Sequence, residues 1–332
     1  MRPGFFLRVA VVPACAEIKR FKERYGLLVV LGPTASGKTG LAVSLARVLN
    51  GEIISADSRQ IYRDLDIGTG KDISEYKGDW GYIPAHLIDI IDPTEEFSVF
   101  SFQKHFWKAF VEISRRGRFP VMAGGTGLYL DSIFRRYRMA EVPPNEEFRR
   151  QLGTQDTESL RRRLLILNPG LHNKTDLVDR KRMIRAIEIA QFTPNGLSDT
   201  SPFPNLSPFV IGIRHDRQEL RRRITLRLNR RLESGLIDEV RDLHQKGLSW
   251  ERLDSLGLEY RYVGLYLRGK MGFAEMFKVL NTRIHQFAKR QETWFRKMER
   301  NGIVIHWLAD PAPEAAYLLI GSAANGLPLQ QR

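Results

Sequence analysis

Residues 32–39 read Gly32-Pro33-Thr34-Ala35-Ser36-Gly37-Lys38-Thr39, which fits the pattern G-x-x-x-x-G-K-[ST]. The run before it, Gly26 to Leu31, is short and apolar, whereas Thr39 to Leu49 carries Leu41, Ala42, Leu45 and Val48 at helical spacing. Strand, glycine turn and helix in that order make an anion cradle. The turn aims backbone N–H groups inward, the helix contributes the positive end of its dipole, and Lys38 adds a cation. The Thr39 hydroxyl is the expected protein ligand of a Mg2+ ion. All eight residues are expected to grip phosphate.

Working outward, a second apolar run, Glu52 to Ser55, ends at Ala56-Asp57-Ser58, and a third, Pro120 to Ala123, ends at Gly124-Gly125-Thr126-Gly127 before a helix at Leu128. Buried runs separated by helical stretches predict an α/β fold, a P-loop NTPase-like parallel sheet flanked by helices. From about Met139 the pattern changes. Pro143-Pro144 breaks the chain, and basic helical segments follow until a strand-like run at Phe209 to Ile213 and further helices from Arg217 to Arg300. The predicted organisation is an N-terminal extension without fixed structure (1–25), a catalytic core (26–138 and 209–310), a helical insertion (139–208) and a C-terminal tail (311–332). The Pro-, Ser- and Asn-rich segment Thr193 to Pro208 is the expected flexible loop.

The chain has 332 residues, 42% of them apolar, and a formal charge of +14. Such a charge attracts polyanions without dictating a fold, which favours nucleic acid as a partner. Cys15 is the one cysteine, so one chain can build neither a disulfide nor a Cys-ligated zinc site, and a reducing cytoplasmic setting is expected. Phe5 to Ala16 is apolar but interrupted by Arg8 and followed by a basic run, which reads as a dispensable leader rather than a secretory signal. No uncharged apolar stretch is long enough to cross a bilayer.

A P-loop alone suggests nucleotide hydrolysis or phosphoryl transfer. The Pro120 to Ala123 strand, however, runs into Gly-Gly-Thr-Gly without an acidic residue to complete a metal site, leaving Asp57 as an alternative metal partner. Three further segments bear on the choice: Ile53 to Tyr62, Asp66-Ile67-Gly68-Thr69-Gly70-Lys71, and His86-Leu87-Ile88-Asp89-Ile90. With Gly124 to Tyr129 and Ala288-Lys289-Arg290-Gln291, the chain resembles the tRNA dimethylallyltransferase family in order and spacing from about Leu27 to Leu308.

That resemblance implies a P-loop that grips the diphosphate of dimethylallyl diphosphate. It implies that Asp57 takes a proton from N6 of adenosine-37 as that nitrogen attacks the allylic carbon, with Thr126 near the reacting groups and Lys38 and an arginine on the leaving diphosphate. Of Arg223 and Arg227, one helical turn apart, Arg227 is favoured as that arginine, an i,i+4 surface charge pair being the alternative. Asp57, Ser58, Arg59, Gln60 and Thr126 are implied to touch the extruded adenine and its neighbours. Arg149 and the stretch Lys181-Arg182-Met183-Ile184-Arg185 are implied to hold the tRNA anticodon stem-loop, as is Leu256-Gly257-Leu258-Glu259-Tyr260-Arg261.

Two departures from the family pattern stand out: Glu259 in a glycine position, and Ile284-His285 where Thr-Arg is usual. A cysteine-rich zinc module is also missing, which points to a bacterial type, and a monomer is expected. The competing readings are an adenylate isopentenyltransferase acting on free nucleotide and a P-loop nucleotide kinase or NTPase.

Overall fold

In a computed structural model of the chain, residues 12–137, 139, 141–169, 177–193 and 206–328 are described. Helix α1 (Cys15–Arg24) precedes β1 (Leu27–Leu31), α2 (Lys38–Val48) and β2 (Gly51–Ala56). A 3₁₀ turn (Ile73–Tyr76) leads into a small hairpin of β3 (Lys77–Gly78) and β4 (Gly81–Tyr82), then β5 (Ala85–His86), α3 (Val99–Arg115), β6 (Phe119–Gly124) and α4 (Gly127–Phe134). Residues 136–204 form a separate compact unit with α5 (Glu146–Gly153), α6 (Thr157–Leu167) and α7 (Arg180–Phe192). The first unit resumes with β7 (Pro208–Ile213), α8 (Arg217–Glu233), α9 (Leu236–Gln245), α10 (Trp250–Leu256) and α11 (Leu258–Leu267). It ends with α12 (Phe273–Arg300), β8 (His306–Leu308) and α13 (Pro313–Ala324).

Six strands among the described residues pair in the order β5-β2-β6-β1-β7-β8, every pairing parallel. β1 is Leu-Leu-Val-Val-Leu with all five side chains buried, the signature of a strand covered on both faces. One core lies between the sheet and α1, α2 and α13, and a second brings α8 to α12 together around Leu228, Leu256, Tyr260 and Leu280. Because the strands are parallel, the carboxyl ends of β1, β2, β6 and β7 fall on one edge of the sheet. In open α/β sheets that edge is where ligands bind.

The helices start where their sequences provide caps. Ser98 accepts the Ser101 N–H ahead of α3, and Asp216 accepts those of Gln218 and Glu219 ahead of α8, each cap contributing about 1 kcal/mol. Leu220, Ile224 and Leu228 form the buried stripe of α8. The period of four leaves Arg223, Arg227 and Arg231 in a second row beside it.

In the second unit Asn145, Asp156 and Asp179 cap α5, α6 and α7. Leu152, Leu160, Leu164, Met183 and Ile187 make its core.

Both chain ends require correction. Residues 15–24 of the supposed structureless extension form α1, because Phe21 is apolar enough to be fully buried, with its ring 5.3 Å from Phe209 in an edge contact. Residues 313–324 of the supposed tail form α13, which packs on α1 through buried Ala316, Tyr317 and Ile320. Asn325 ties the two ends together, its side chain accepting from Arg20 at 2.6 Å and donating to Glu17 at 2.9 Å. Of the predicted leader, Phe5 to Val11 lies outside the described residues, as do residues 194–205 of the predicted flexible loop.

Candidate active site

A cavity of about 1160 Å³ opens at the carboxyl edge of the sheet. Thr34 to Thr39 line it, while Gly32 and Pro33 are buried behind it. The loop is held from three sides. Gln291 on α12 accepts the Thr34 N–H at 2.9 Å and donates to the Gly125 carbonyl at 2.9 Å. His215, buried after β7, bonds through Nε2 to the Ser36 carbonyl at 3.0 Å. On α8, Arg223 Nε donates to the Ala35 carbonyl at 3.0 Å and an Arg227 Nη to the Thr34 hydroxyl at 3.2 Å. Both arginines that the sequence offered therefore bind the loop itself, Arg223 at Ala35 and Arg227 at Thr34.

The cations here carry the electrostatic cost of their setting. Burial, helped by Arg227, lowers the Lys38 ammonium from its usual range to about 8 against the opposing pull of Asp57. Its Nζ donates to the Pro33 carbonyl at 3.3 Å. Burial and Arg231 bring Arg227 down to about 10, and Asp72 answers it at 3.5 Å. Burial and nearby Asp72 raise the Glu75 carboxyl, against Arg227 and Lys38. A polyanion entering the cavity would reverse the penalties on Lys38 and Arg227, since it supplies the negative charge that clustered cations lack, and would press the Glu75 carboxyl further up.

Asp57 and Thr126 come from adjacent parallel strands. The β2–β6 register pairs Ala56 with Gly124, which brings the turns after both strands side by side. The Thr126 hydroxyl accepts the Ser58 N–H at 3.0 Å, and Asp57 Oδ1 accepts the Arg59 N–H at 2.9 Å. One carboxylate oxygen thus fixes the orientation of Asp57 in the cavity wall. Ser58 and Arg59 also line the cavity, half-buried.

Gln60 needs a different role from base contact. It is 9% exposed, and its carboxamide is occupied by Ser55 Oγ at 3.1 Å and the Gly70 carbonyl at 3.0 Å. It braces the loop Asp66 to Lys71 against β2.

The segment Leu256 to Arg261 borders the same cavity, with two corrections. The Leu256 and Tyr260 side chains belong to the helical core, and the Tyr260 hydroxyl donates to Glu239 at 2.9 Å, so neither is available to a nucleic acid. Glu259 is not a bare negative charge, because Arg231 pairs with it at 3.0 Å. Gly257 and Leu258 start α11 and Arg261 donates to the Asp254 carbonyl at 3.0 Å. His285 Nε2 lies 3.4 Å from the Arg221 carbonyl on α8.

In the second unit Met183 is fully buried and cannot meet RNA; the same apolar character that continues the helix puts it in the core. Ile184 packs partly against that core. Arg149 and Arg185 converge on Glu188, whose side chain is wholly buried; Arg149 Nη2 is 3.0 Å from it and Arg185 also pairs with it. Their first duty is to neutralise that carboxylate, although both keep some exposure. Lys181 and Arg182 are exposed.

Among the described residues no group of three or more His, Cys, Asp or Glu side chains is placed to hold a metal. Thr39 and Asp57 both line the cavity. One hydroxyl and one carboxylate suit Mg2+, which keeps several waters and relies on substrate phosphates rather than a full protein cage. No described helix is long and apolar enough to cross a membrane.

Sequence reasoning gave no role to four partners: Gln291, quoted only as part of a resemblance segment, His215, Glu239 and Arg231. Arg231 had a signal, since it extends the i,i+4 series of Arg223 and Arg227. The other three act through backbone atoms brought together by the fold.

Comparison with known proteins places this architecture. The family model described as IPP transferase matches residues 60–298, and one described as isopentenyl transferase matches residues 25–78. The tRNA dimethylallyltransferase 2 of Trichlorobacter lovleyi is 57% identical over 89% of this chain and 96% of its own. That of Pelobacter propionicus is 57% identical over 90% and 96%. The crystal structure of the tRNA isopentenylpyrophosphate transferase of Bacillus halodurans matches with a TM-score of 0.65 at 33% identity, covering 91% of this chain and 96% of that one. A eukaryotic dimethylallyltransferase captured acting on tRNA shares the fold, with a TM-score of 0.74 at 23% identity. With the phosphate loop, the parallel sheet and relatives at this identity in agreement, the chain belongs to the IPP transferase family, alongside the tRNA dimethylallyltransferases.

Proposed function

We propose that the chain transfers a dimethylallyl group from dimethylallyl diphosphate to N6 of adenosine-37 in the anticodon stem-loop of tRNA, releasing diphosphate. One observation carries the reading: Asp57, anchored beside Thr126, opens onto the same cavity as Lys38, Arg223 and Arg227 of the anion cradle. A nucleophile's base and a leaving group's clamp are both needed for this displacement, and each has residues suited to it.

In the proposed step N6 attacks the allylic carbon, the carbon–oxygen bond to diphosphate breaks, and its electron pair leaves with the diphosphate. Asp57 accepts the N6 proton as the new bond forms, worth about 10²–10⁴-fold. The helix-start N–H groups of the loop, with Lys38, Arg223 and Arg227, meet negative charge that grows on the departing oxygen, so they favour the transition state over the ground state. Thr126 holds the Ser58 backbone, and with it the wall that faces the base. A Mg2+ ion held by Thr39 and substrate phosphate would add neutralising charge. The adenine must leave its stack to reach this wall, at a cost of roughly a few kcal/mol. Phosphate contacts from exposed Lys181 and Arg182 offset that cost; Arg149 and Arg185 support the same surface while paired with Glu188.

The test is incubation with labelled dimethylallyl diphosphate and, separately, tRNA, AMP or ATP. Label in tRNA at an adenosine next to the anticodon is the expected result. Product on AMP alone, or ATP turnover without prenyl transfer, would replace this reading with the nucleotide-prenylating or kinase alternative.

A further inference from the structure

The turn Asp66 to Gly68 is built around a carboxylate from another element. Glu239, in the first turn of α9, accepts the backbone N–H groups of Asp66 at 3.0 Å, Ile67 at 2.6 Å and Gly68 at 2.9 Å. The Tyr260 hydroxyl fills a further lone pair at 2.9 Å. Four donors on one carboxylate leave it no role in solvation, and three successive N–H groups around an anion fix the backbone that carries them.

That backbone in turn presents carbonyls to the site. Gly68 accepts from Arg231 at 3.1 Å, and Gly70 lies 3.5 Å from an Arg227 Nη. Gly70 has φ +63°, and a Cβ there would collide with both guanidinium groups; a Cβ on Gly68 would strike Tyr260. The loop therefore touches the arginines directly through its main chain. Arg227 reaches from it to the Thr34 hydroxyl of the phosphate loop.

We propose that Glu239 is a positioning residue for the diphosphate: it sets the 66–70 backbone, which aims Arg227 across the phosphate loop. The chain of contact is Glu239 to the 66–68 amides, Gly70 carbonyl to Arg227, and Arg227 to Thr34. Glu239 borders no reacting atom and acts through the guanidinium. The proposal rests on the functional reading above, in which Arg227 meets diphosphate.

The experiment uses the full-length protein and inorganic diphosphate as the probe, by titration calorimetry, for wild type, Glu239→Ala, Glu239→Gln, Arg227→Ala and the double variant Glu239→Ala/Arg227→Ala. The expected results are a loss of diphosphate affinity of about tenfold for Glu239→Ala and a smaller loss for Glu239→Gln, whose oxygen still accepts N–H groups. The double variant should bind within about twofold of Arg227→Ala alone, because two residues on one path give non-additive losses. With dimethylallyl diphosphate, Glu239→Ala should raise KM for the donor more than it lowers kcat, while tRNA affinity stays within about twofold. Additive losses in the double variant, or unchanged diphosphate affinity in both Glu239 variants, would overturn the proposal. Should Glu239→Ala not fold, Glu239→Gln combined with Arg227→Ala gives the same cycle. A wild-type protein that binds no diphosphate would instead sink the functional reading itself.

Discussion

Gln291, in the second half of α12, accepts the Thr34 N–H at 2.9 Å and so pins the phosphate loop to a helix 257 residues further along the chain. The same side chain donates to Gly125 beside Thr126, so one carboxamide spans both halves of the site.

Gln291→Ala takes the partner from the half-buried Thr34 N–H and from the buried Gly125 carbonyl, the latter at about 1–3 kcal/mol. The expected outcome is a fall in kcat/KM for the prenyl donor of about tenfold or more, with tRNA affinity within twofold of wild type. Steady-state kinetics beside a filter-binding titration would check this, and equal losses in both would assign Gln291 to general stability.

Donor binding should depend on pH through Lys38. Its ammonium titrates at about 8 in the empty site because burial disfavours the charge, and an anion selects the charged form. Affinity for dimethylallyl diphosphate should therefore be level below pH 8 and fall about tenfold per unit above it. Binding at pH 8.5–9 should take up a proton, seen as a calorimetric heat that changes with buffer ionisation enthalpy. Arg227, brought down only to about 10, stays charged over that range. Lys38→Met should bind weakly at every pH and lose the slope; a slope that survives the substitution would place the titration elsewhere.

Asp57→Asn keeps an acceptor oxygen for the Arg59 N–H, so the local turn should survive. Turnover is expected to drop about 10²–10⁴-fold with tRNA binding nearly unchanged. Single-turnover rates with saturating donor are the measurement, and a loss below fivefold would remove Asp57 from the proton transfer.

Glu188→Ala should unfold the second unit's helices most readily of the changes considered. It removes the buried counter-charge that two arginines share and the acceptor of the Asn145 N–H at 2.6 Å, and breaking a buried pair costs about 3–5 kcal/mol. Burial pushes the Glu188 carboxyl up, but Arg149, the Asn145 N–H and Arg185 outweigh it and hold the group below the usual carboxylate range. A depressed folded value means its stabilisation is present above the ordinary carboxylate pKa and fades as pH falls through the lowered one. Urea melts at pH 7 and pH 4, with and without the substitution, should converge towards acid.

Arg182→Glu should weaken tRNA binding and reduce the slope of log affinity against log salt. The exposed Arg182 side chain makes this a surface change, and an unchanged slope would move the RNA contact to another face.

The phosphate loop and the placement of Asp57 and Thr126 at strand ends were legible in the sequence because each sits in a local pattern: an apolar run, a turn, a helix start; the roles given to Asp57 and Thr126 came from the resemblance to the family. Four of the buried strands were legible for the same reason. β5 and β8 were not, having only two and three residues of ordinary composition. Arg149 and the stretch Lys181 to Arg185 read as RNA contacts, yet Glu188 three residues beyond Arg185 pairs with both Arg149 and Arg185 and the helix period turns Met183 inward. Charge is visible in a sequence; its buried counter-charge is not. Gln291 stood in the segment Ala288 to Gln291 that carries the resemblance but had no role there, and His215 and Glu239 had no signal at all, because all three recognise main-chain atoms far away in the chain, for which no residue type is diagnostic.

Helix α12 is 28 residues long, about 42 Å of continuous rod. Met276, Leu280, Ile284 and Ala288 root its first half in the helical core, and Phe295 meets Trp307 of the edge strand. Heat cannot melt the helical core without loosening the edge strand that the same spar carries. The two should surrender in one calorimetric endotherm, and the anion-gripping turn that hangs from Gln291 should lose its shape at that same temperature rather than ahead of it.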